Sequence, residues 1–468
     1  MSTQENNQIM QPPLVKQIAE IVLNVDTLRI PADVLLKTKT LILDTIGCAL
    51  AARREPVFER ALKAFAAIGG APQCSVIGTQ QRAPVTSAVM LNGILIRALD
   101  MNDAYVGHGH LGHPSDNIAV ALSVGEQQRS PGLDVIASVA VGYEIYCRIQ
   151  DLVQTGGAWD HVTGSALAAP AIAARLMKLS PDQLAHALAL SAAHGNTLAE
   201  VRSGQLSNAK AMANGFVAMQ ATLCALLAAE GVTGPMTVLE GRRGLNRGLL
   251  AGGDLNLLAE PIRERFRISD VGIKPYPCIG TAQTMIAAVL QLRAGIADPV
   301  NEVKRIAVRM ADVPLVSGQV EDQDRRFPTS RETADHSFYF LVAVALADGE
   351  LTQRQFDNER WLQPAMKSLM ERLTIRTDAA LNQYTPGSYP AVVEMTLENG
   401  ERRAAEVIFP KGHPQNPMSR AEVEAKFRSC TRAALSEEQQ TRIISLVDDL
   451  DRLTDVSGLL KELTVGES

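Results

Sequence analysis

The sequence predicts a mainly α fold: a large all-helical domain over residues 1–273, completed by 411–468, with a smaller α+β domain inserted at 274–410. Three observations predict it. Apolar residues recur at helical spacing almost without interruption from about residue 14 to 270. Near Lys274 the texture changes to short alternating runs, the pattern of half-buried strands. Helical spacing then returns for the last two elements. At 468 residues the chain exceeds what one simple core supports, so two domains are expected.

The first helices are expected over Leu14–Asn24 and Pro31–Ala52, the second with a proline suited to a first helical turn. Val85–Leu99, Asp116–Gln128, Asp134–Leu152, Ser165–Lys178, Pro181–Ala193 and Asn208–Glu230 follow, the last stopping at Gly231, a natural C-terminal cap. Beyond Lys274, Val303–Met310, Leu373–Thr377, Ala391–Leu397 and Ala404–Phe409 read as strands. Asn399-Gly400 marks a two-residue hairpin between the last two. Helices intervene at Thr281–Leu292, Ser337–Ala347 and Pro364–Arg372, and Arg420–Ala433 and Glu437–Leu453 close the chain against the first domain.

Composition narrows the function. Apolar residues are 46% and charged residues 21%, ordinary for a soluble globular protein. Only 4% are aromatic while Ala and Gly abound, so helices are expected to pack closely. A net charge of −6 with no Lys/Arg-rich run argues against nucleic acid as a partner. No apolar run reaches ~18 residues without a charge, so no membrane span is indicated. Met1–Pro13 reads as a frayed polar leader without the charged start and apolar middle of a secretory signal. The six cysteines form no C-x-x-C pair, against a zinc ribbon or iron–sulfur ligand run and in keeping with a reducing cytoplasm.

Chemistry concentrates in Leu99-Asp100-Met101-Asn102-Asp103 and the loop that follows, with His108, His110 and Gly112-His113-Pro114-Ser115-Asp116-Asn117. Two carboxylates and three histidines on one turn between apolar helices suit proton transfer. Three further polar clusters also sit where a loop enters a helix: Asp160-His161-Val162-Thr163, Ser207 with Lys210, and Lys274-Pro275-Tyr276-Pro277-Cys278. A helix N-terminus attracts anions, so a lysine there is misplaced by perhaps ~0.3–1 kcal/mol. An anion bound between Lys210 and Lys274 would remedy both, which points to a substrate with several carboxylates. Each residue also has a plain structural reading: Asp100 as a helix–loop junction, His108 and His110 as loop residues, Tyr276 as core, the lysines as solvated surface. The His108, His110 and His113 loop could alternatively hold Zn²⁺ or Fe²⁺ for a metal-dependent hydrolase, and a non-catalytic carboxylate-binding protein is a further alternative. Phosphate-loop, dinucleotide and nucleophile-elbow signatures are absent.

At these residues the chain resembles the MmgE/PrpD family, which includes 2-methylcitrate dehydratase and cis-aconitate decarboxylase. The resemblance extends through Leu206-Ser207-Asn208-Ala209-Lys210, Gly231-Val232-Thr233-Gly234-Pro235 and Ala334-Asp335-His336. It implies a helical lyase domain, an α+β lid, a site in the cleft between them, a homodimer, and no metal or organic cofactor. The family's catalytic Asp corresponds to Asp100, its histidines to His113 and His161, its lysines to Lys210 and Lys274. Asn102-Asp103 and Gly112 to Asn117 look closer to methylcitrate dehydratases. Ala104 stands where the family commonly carries a Thr, and His108 and His110 are additional.

The resulting expectation is a cytoplasmic, cofactor-independent lyase, a dehydratase or hydratase first and a decarboxylase second, acting on a small di- or tricarboxylate such as a 2-methylcitrate-like acid. Asp100, His113 and His161 are expected to be catalytic; Lys210, Lys274, Asp103 and Tyr276 are expected to bind substrate. Asp100→Asn is expected to abolish turnover with little loss of melting temperature, and Lys274→Ala to weaken carboxylate binding.

Overall fold

The computed structural model describes residues 11–466 except 109, 154–156, 249, 251–252 and 264. Most of the polar leader, and Gly109 of the histidine loop, lie outside the described residues. The fold is mainly α. Nine helices order the first half: α1 (Leu14–Leu23), α2 (Ala32–Ala51), α3 (Pro56–Ile68), α4 (Val85–Arg97), α5 (Ile118–Gln128), α6 (Gly132–Leu152), α7 (Ser165–Met177), α8 (Pro181–His194) and α9 (Ala209–Ala229). The helical spacing marked all but α3, whose buried face is only Val57, Phe58 and Ala61.

Helix α9 packs against α4, α7 and α8. Small residues make this possible: a Cβ on Gly93 of α4 would stand 3.2 Å from the Cα of Gly215 of α9. Larger side chains there would push the two helices apart. By length and composition α9 could also cross a bilayer, which corrects the reading that no stretch is apolar enough. Much of its surface is buried inside the fold.

A four-stranded sheet orders the later part of the chain: Leu373–Asp378, Val303–Ala311, Ala391–Leu397, Arg402–Val407. The first pair is parallel and the others antiparallel. Leu397 N–H donates to Glu401 O, closing a three-residue turn in which Gly400 adopts φ 88°. The hairpin is thus one residue longer than the Asn-Gly signal suggested, because only Gly400 takes the left-handed conformation.

Buried apolar residues gather in two main clusters. One spans the nine helices and takes in Val423, Phe427, Ile443 and Leu460 from the closing helices. The helix Arg420–Thr431 packs on α2, with Phe427 against Gly47. The other cluster runs from Cys278 to Val407 and includes Leu111 of the histidine loop.

A small three-stranded sheet positions the site. Asp103–Val106 pairs on one side with Leu111–Gly112 and on the other with Gly272–Ile273. The segment after Asp100 is therefore a hairpin as well as a loop, and its ladder brings the chain just before Lys274 beside it.

Candidate functional site

Helix α4 is apolar or small along nearly its whole length and ends in Arg97, which is 2% exposed. Three residues on, Asp100 takes the left-handed conformation at φ 50°. That region is sparsely populated by residues other than Gly, although Asp tolerates it better than most. The reversal folds the Asp100 carboxylate back onto Arg97, whose Nη1 lies 3.0 Å from Oδ1.

Two lysines from distant segments meet the same carboxylate. Lys274 Nζ donates to Oδ1, and Lys210 Nζ lies 3.2 Å from Oδ2. Lys210 also donates to both oxygens of Asp335, at 2.7 and 2.9 Å, and Arg331 donates to Asp335 Oδ2 at 2.8 Å. Burial raises the pKa of Asp100, but Arg97, Lys274, Lys210 and His336 outweigh it and hold the group well below the carboxylate range. Asp335 is brought down to about 2, burial being outweighed by Lys210, His336 and Arg331.

His113 and His161 stand together on the cavity side. His113 precedes the turn Pro114–Asn117 that leads into α5, and its Nδ1 lies 2.6 Å from Asp103 O. A carbonyl only accepts, so Nδ1 carries the proton and Nε2 is bare. Its ring lies edge-on to His161 at 5.5 Å. Tyr146 Oη accepts His113 N–H at 3.2 Å and stands 3.2 Å from His161 Nδ1, which joins the two histidines. Burial lowers the pKa of both rings well below the usual histidine value, so both are neutral. His161 opens the turn that enters α7, capped by Asp160, to which Arg202 donates at 2.7 Å.

Asp100, Arg97, His110, His113, His161, Arg202, Arg325 and His336 line one cavity of about 740 Å³. Leu111, Trp159, Leu198, Ile279 and Leu315 add apolar surface to its lining. A larger groove of about 1290 Å³ elsewhere has arginines and carboxylates in its walls but no histidine.

The remaining expected site residues fall outside this cavity. Lys210 and Lys274 are buried behind Asp100, and the anion that lies between them is Asp100 itself. That placement corrects the expectation that a bound substrate bridges them. Asp103 is fully buried and accepts from Ser115 N and Oγ at 3.1 and 2.5 Å, fixing the turn that carries His113. Tyr276 packs on the second apolar cluster. His110 faces the cavity, 5.3 Å from His161, whereas His108 is exposed. Among the described residues, His108, His110 and His113 form no common ligand group, which removes the support for a metal-dependent hydrolase. Asp100, Asp335 and His336 do have ligand atoms within 4.8 Å of one another, but the ammonium groups of Lys210 and Lys274 already neutralise the two carboxylates.

Sequence reasoning missed Arg97, Arg202, Arg325 and any part for His336. A lone arginine closing an otherwise uncharged helix three residues before an aspartate was the available signal for Arg97.

Asp103 gives a pH test of its structural placement. Burial pushes its carboxyl up to about 7, opposed in part by Ser115 and Tyr143. A carboxyl whose folded pKa exceeds its unfolded value, roughly 3.9, stabilises fully below that value. The contribution is lost as pH rises toward the folded pKa. Asp116, raised to about 6, acts in the same direction. Asp103→Asn, neutral at every pH, is expected to flatten the decline in melting temperature over this window. Thermal unfolding at a series of pH values measures it, and an unchanged slope would refute the assignment.

Two family models match the chain. The MmgE/PrpD N-terminal domain model matches residues 16–258 and the MmgE/PrpD C-terminal domain model matches residues 276–452. A cis-aconitate decarboxylase of Aspergillus terreus is 26% identical over 99% of this chain and 98% of its own length. The cis-aconitate decarboxylase of Homo sapiens is 24% identical over 91% and 89%. A 2-methylcitrate dehydratase of Cupriavidus necator is 26% identical over 88% and 89%. With family models matching most of its length, this chain belongs to the MmgE/PrpD family.

Proposed function

We propose that the protein is a cofactor-independent lyase that adds or removes water at a carbon beside a carboxylate, on a small di- or tricarboxylate. The observation that carries this reading is the Asp100 carboxylate in the cavity wall, ringed by Arg97, Lys210 and Lys274, with the bare Nε2 of His113 in the same cavity. Arg97, Arg202 and Arg325, each already paired with a carboxylate (Asp100, Asp160 and Asp322), line the cavity and offer their remaining N–H groups to the substrate carboxylates. The lysines act through Asp100, keeping it ionised. A bound polyanion adds negative charge beside Asp100 and raises its basicity toward what proton abstraction needs.

In the dehydration direction Asp100 takes the proton from carbon. The charge that develops on the neighbouring carboxylate is stabilised by the buried arginines, a term that grows in a water-poor cavity. His113 manages the proton at the departing or arriving oxygen, and His161 orients it through Tyr146. The α+β part, whose apolar cluster includes Leu111, acts as the lid.

Decarboxylation remains a second reading, favoured by the cis-aconitate decarboxylases among the relatives. One assay separates the two. Citrate, 2-methylcitrate and cis-aconitate are offered in turn, and absorbance of the carboxylate-conjugated double bond is followed together with carbon dioxide release. Water addition or loss changes the absorbance without gas; decarboxylation releases carbon dioxide. No change with any of the three acids would sink the proposal.

A further inference from the structure

The mechanism above leaves one buried base unused. His336 shares the cavity wall with Asp100 and is 4% exposed. Its Nδ1 lies 2.5 Å from Asp335 Oδ1. A carboxylate only accepts, so Nδ1 carries the proton and Nε2 keeps its lone pair. That lone pair lies 3.4 Å from Asp100 Oδ2. Two acceptors face each other across a gap that a single proton would close. The other Asp100 oxygen is engaged, since Arg97 and Lys274 both donate to Oδ1. Oδ2 is buried and accepts no well-formed hydrogen bond among the described residues, with the Lys210 ammonium at 3.2 Å and His336 Nε2 at 3.4 Å beside it. Oδ2 is therefore the oxygen free to take a proton, and His336 stands next to it.

We propose that His336, oriented by Asp335, is the relay through which the proton taken by Asp100 leaves the site. The proposal rests on Asp100 being the base of the function put forward above. Asp100 Oδ2 removes the carbon-bound proton, and the electron pair of that bond forms the new double bond as hydroxide leaves with the carbon–oxygen pair. The departing hydroxide takes a proton that His113 Nε2 has picked up from solvent on binding of the polyanion, and leaves as water, returning His113 to its neutral, Nδ1-protonated form. The proton on Oδ2 passes to His336 Nε2, and Asp100 returns to carboxylate. Exchange with solvent then restores His336. The groups facing His336 pull in both directions. Burial and Lys210 bring its pKa down to about 3, so it rests neutral, while Asp335 and Asp100 pull the other way and stabilise the charged form.

The test uses His336→Gln and His336→Ala in the full chain, on whichever of citrate, 2-methylcitrate and cis-aconitate the unaltered protein turns over. Both variants should keep their KM while kcat falls about 10²-fold, His336→Gln with the smaller and His336→Ala with the larger loss of melting temperature. Added imidazole should restore part of kcat in His336→Ala. Undiminished kcat in His336→Gln, or an alanine variant that imidazole does not rescue, overturns the relay. Should both variants fail to fold, the unaltered protein in D₂O decides. A relay to an exchangeable histidine puts deuterium on the reacting carbon of recovered substrate, and retention of the original proton overturns it. An Asp100→Asn variant separates the two levels of the argument. If it retains full activity, the underlying function reading fails; if it is dead while His336→Gln is unimpaired, only the relay fails.

Discussion

Asp100→Asn should lower kcat about 10²–10⁴-fold, the range typical of losing a positioned acid–base group. It should also destabilise the fold by roughly 3–5 kcal/mol. The second effect reverses what the sequence alone led one to expect. Arg97, Lys210 and Lys274 are each about 2% exposed or less, and all three direct a charged nitrogen at this carboxylate. A neutral amide leaves them facing one another with no compensating charge, and an uncompensated buried charge is what makes a broken internal ion pair costly. Turnover on the assayed acid and thermal unfolding measure the two effects separately. Unchanged rates would remove Asp100 from the chemistry, and an unchanged melting temperature would mean that the ionic cluster contributes nothing to the fold.

The elements that were legible in the sequence were those whose burial is one-sided and local. Strand Ala391–Leu397 alternates buried and less buried positions along its length, and its limits match the expected ones. Helix α1 was found for the same reason at its own period. The hairpin Asp103–Val106 with Leu111–Gly112 was not, because its third strand, Gly272–Ile273, comes from a remote part of the chain and offers two residues of signal. That omission had consequences for the site. Without the ladder, only the family resemblance indicates that Lys274 arrives beside Asp100.

The same blindness to pairing affected the charges. Asp100, His113, His161, Lys210 and Lys274 were all singled out, and all five gather around the cavity or directly behind its wall. What no single segment reveals is the partner of each charge. A lysine that waits for a substrate and a lysine already matched by a buried aspartate have the same sequence context. Arg202 and Arg325, which reach the cavity together with Arg97, lie among ordinary polar residues with nothing local to distinguish them.

Lys210→Met separates those two meanings of a lysine. Its Nζ lies between Asp335, at 2.7 Å, and Asp100, at 3.2 Å. Methionine preserves much of the side-chain volume but leaves two buried carboxylates short of a cation, so a stability loss of roughly 3–5 kcal/mol is expected. The direction of the pH effect follows from the pKa shift. Asp100 is held below its ordinary value by cations that include Lys210, acting against burial. A carboxylate of this kind stabilises above its unfolded pKa, and the contribution is lost as pH falls through the folded one. Removing Lys210 raises the folded pKa of Asp100. Acid unfolding and the acid limb of kcat should therefore both move to higher pH, with KM changing less than kcat. A lysine that held substrate carboxylate directly would behave in the opposite way. KM would rise, and the acid limb of kcat would stay where it was.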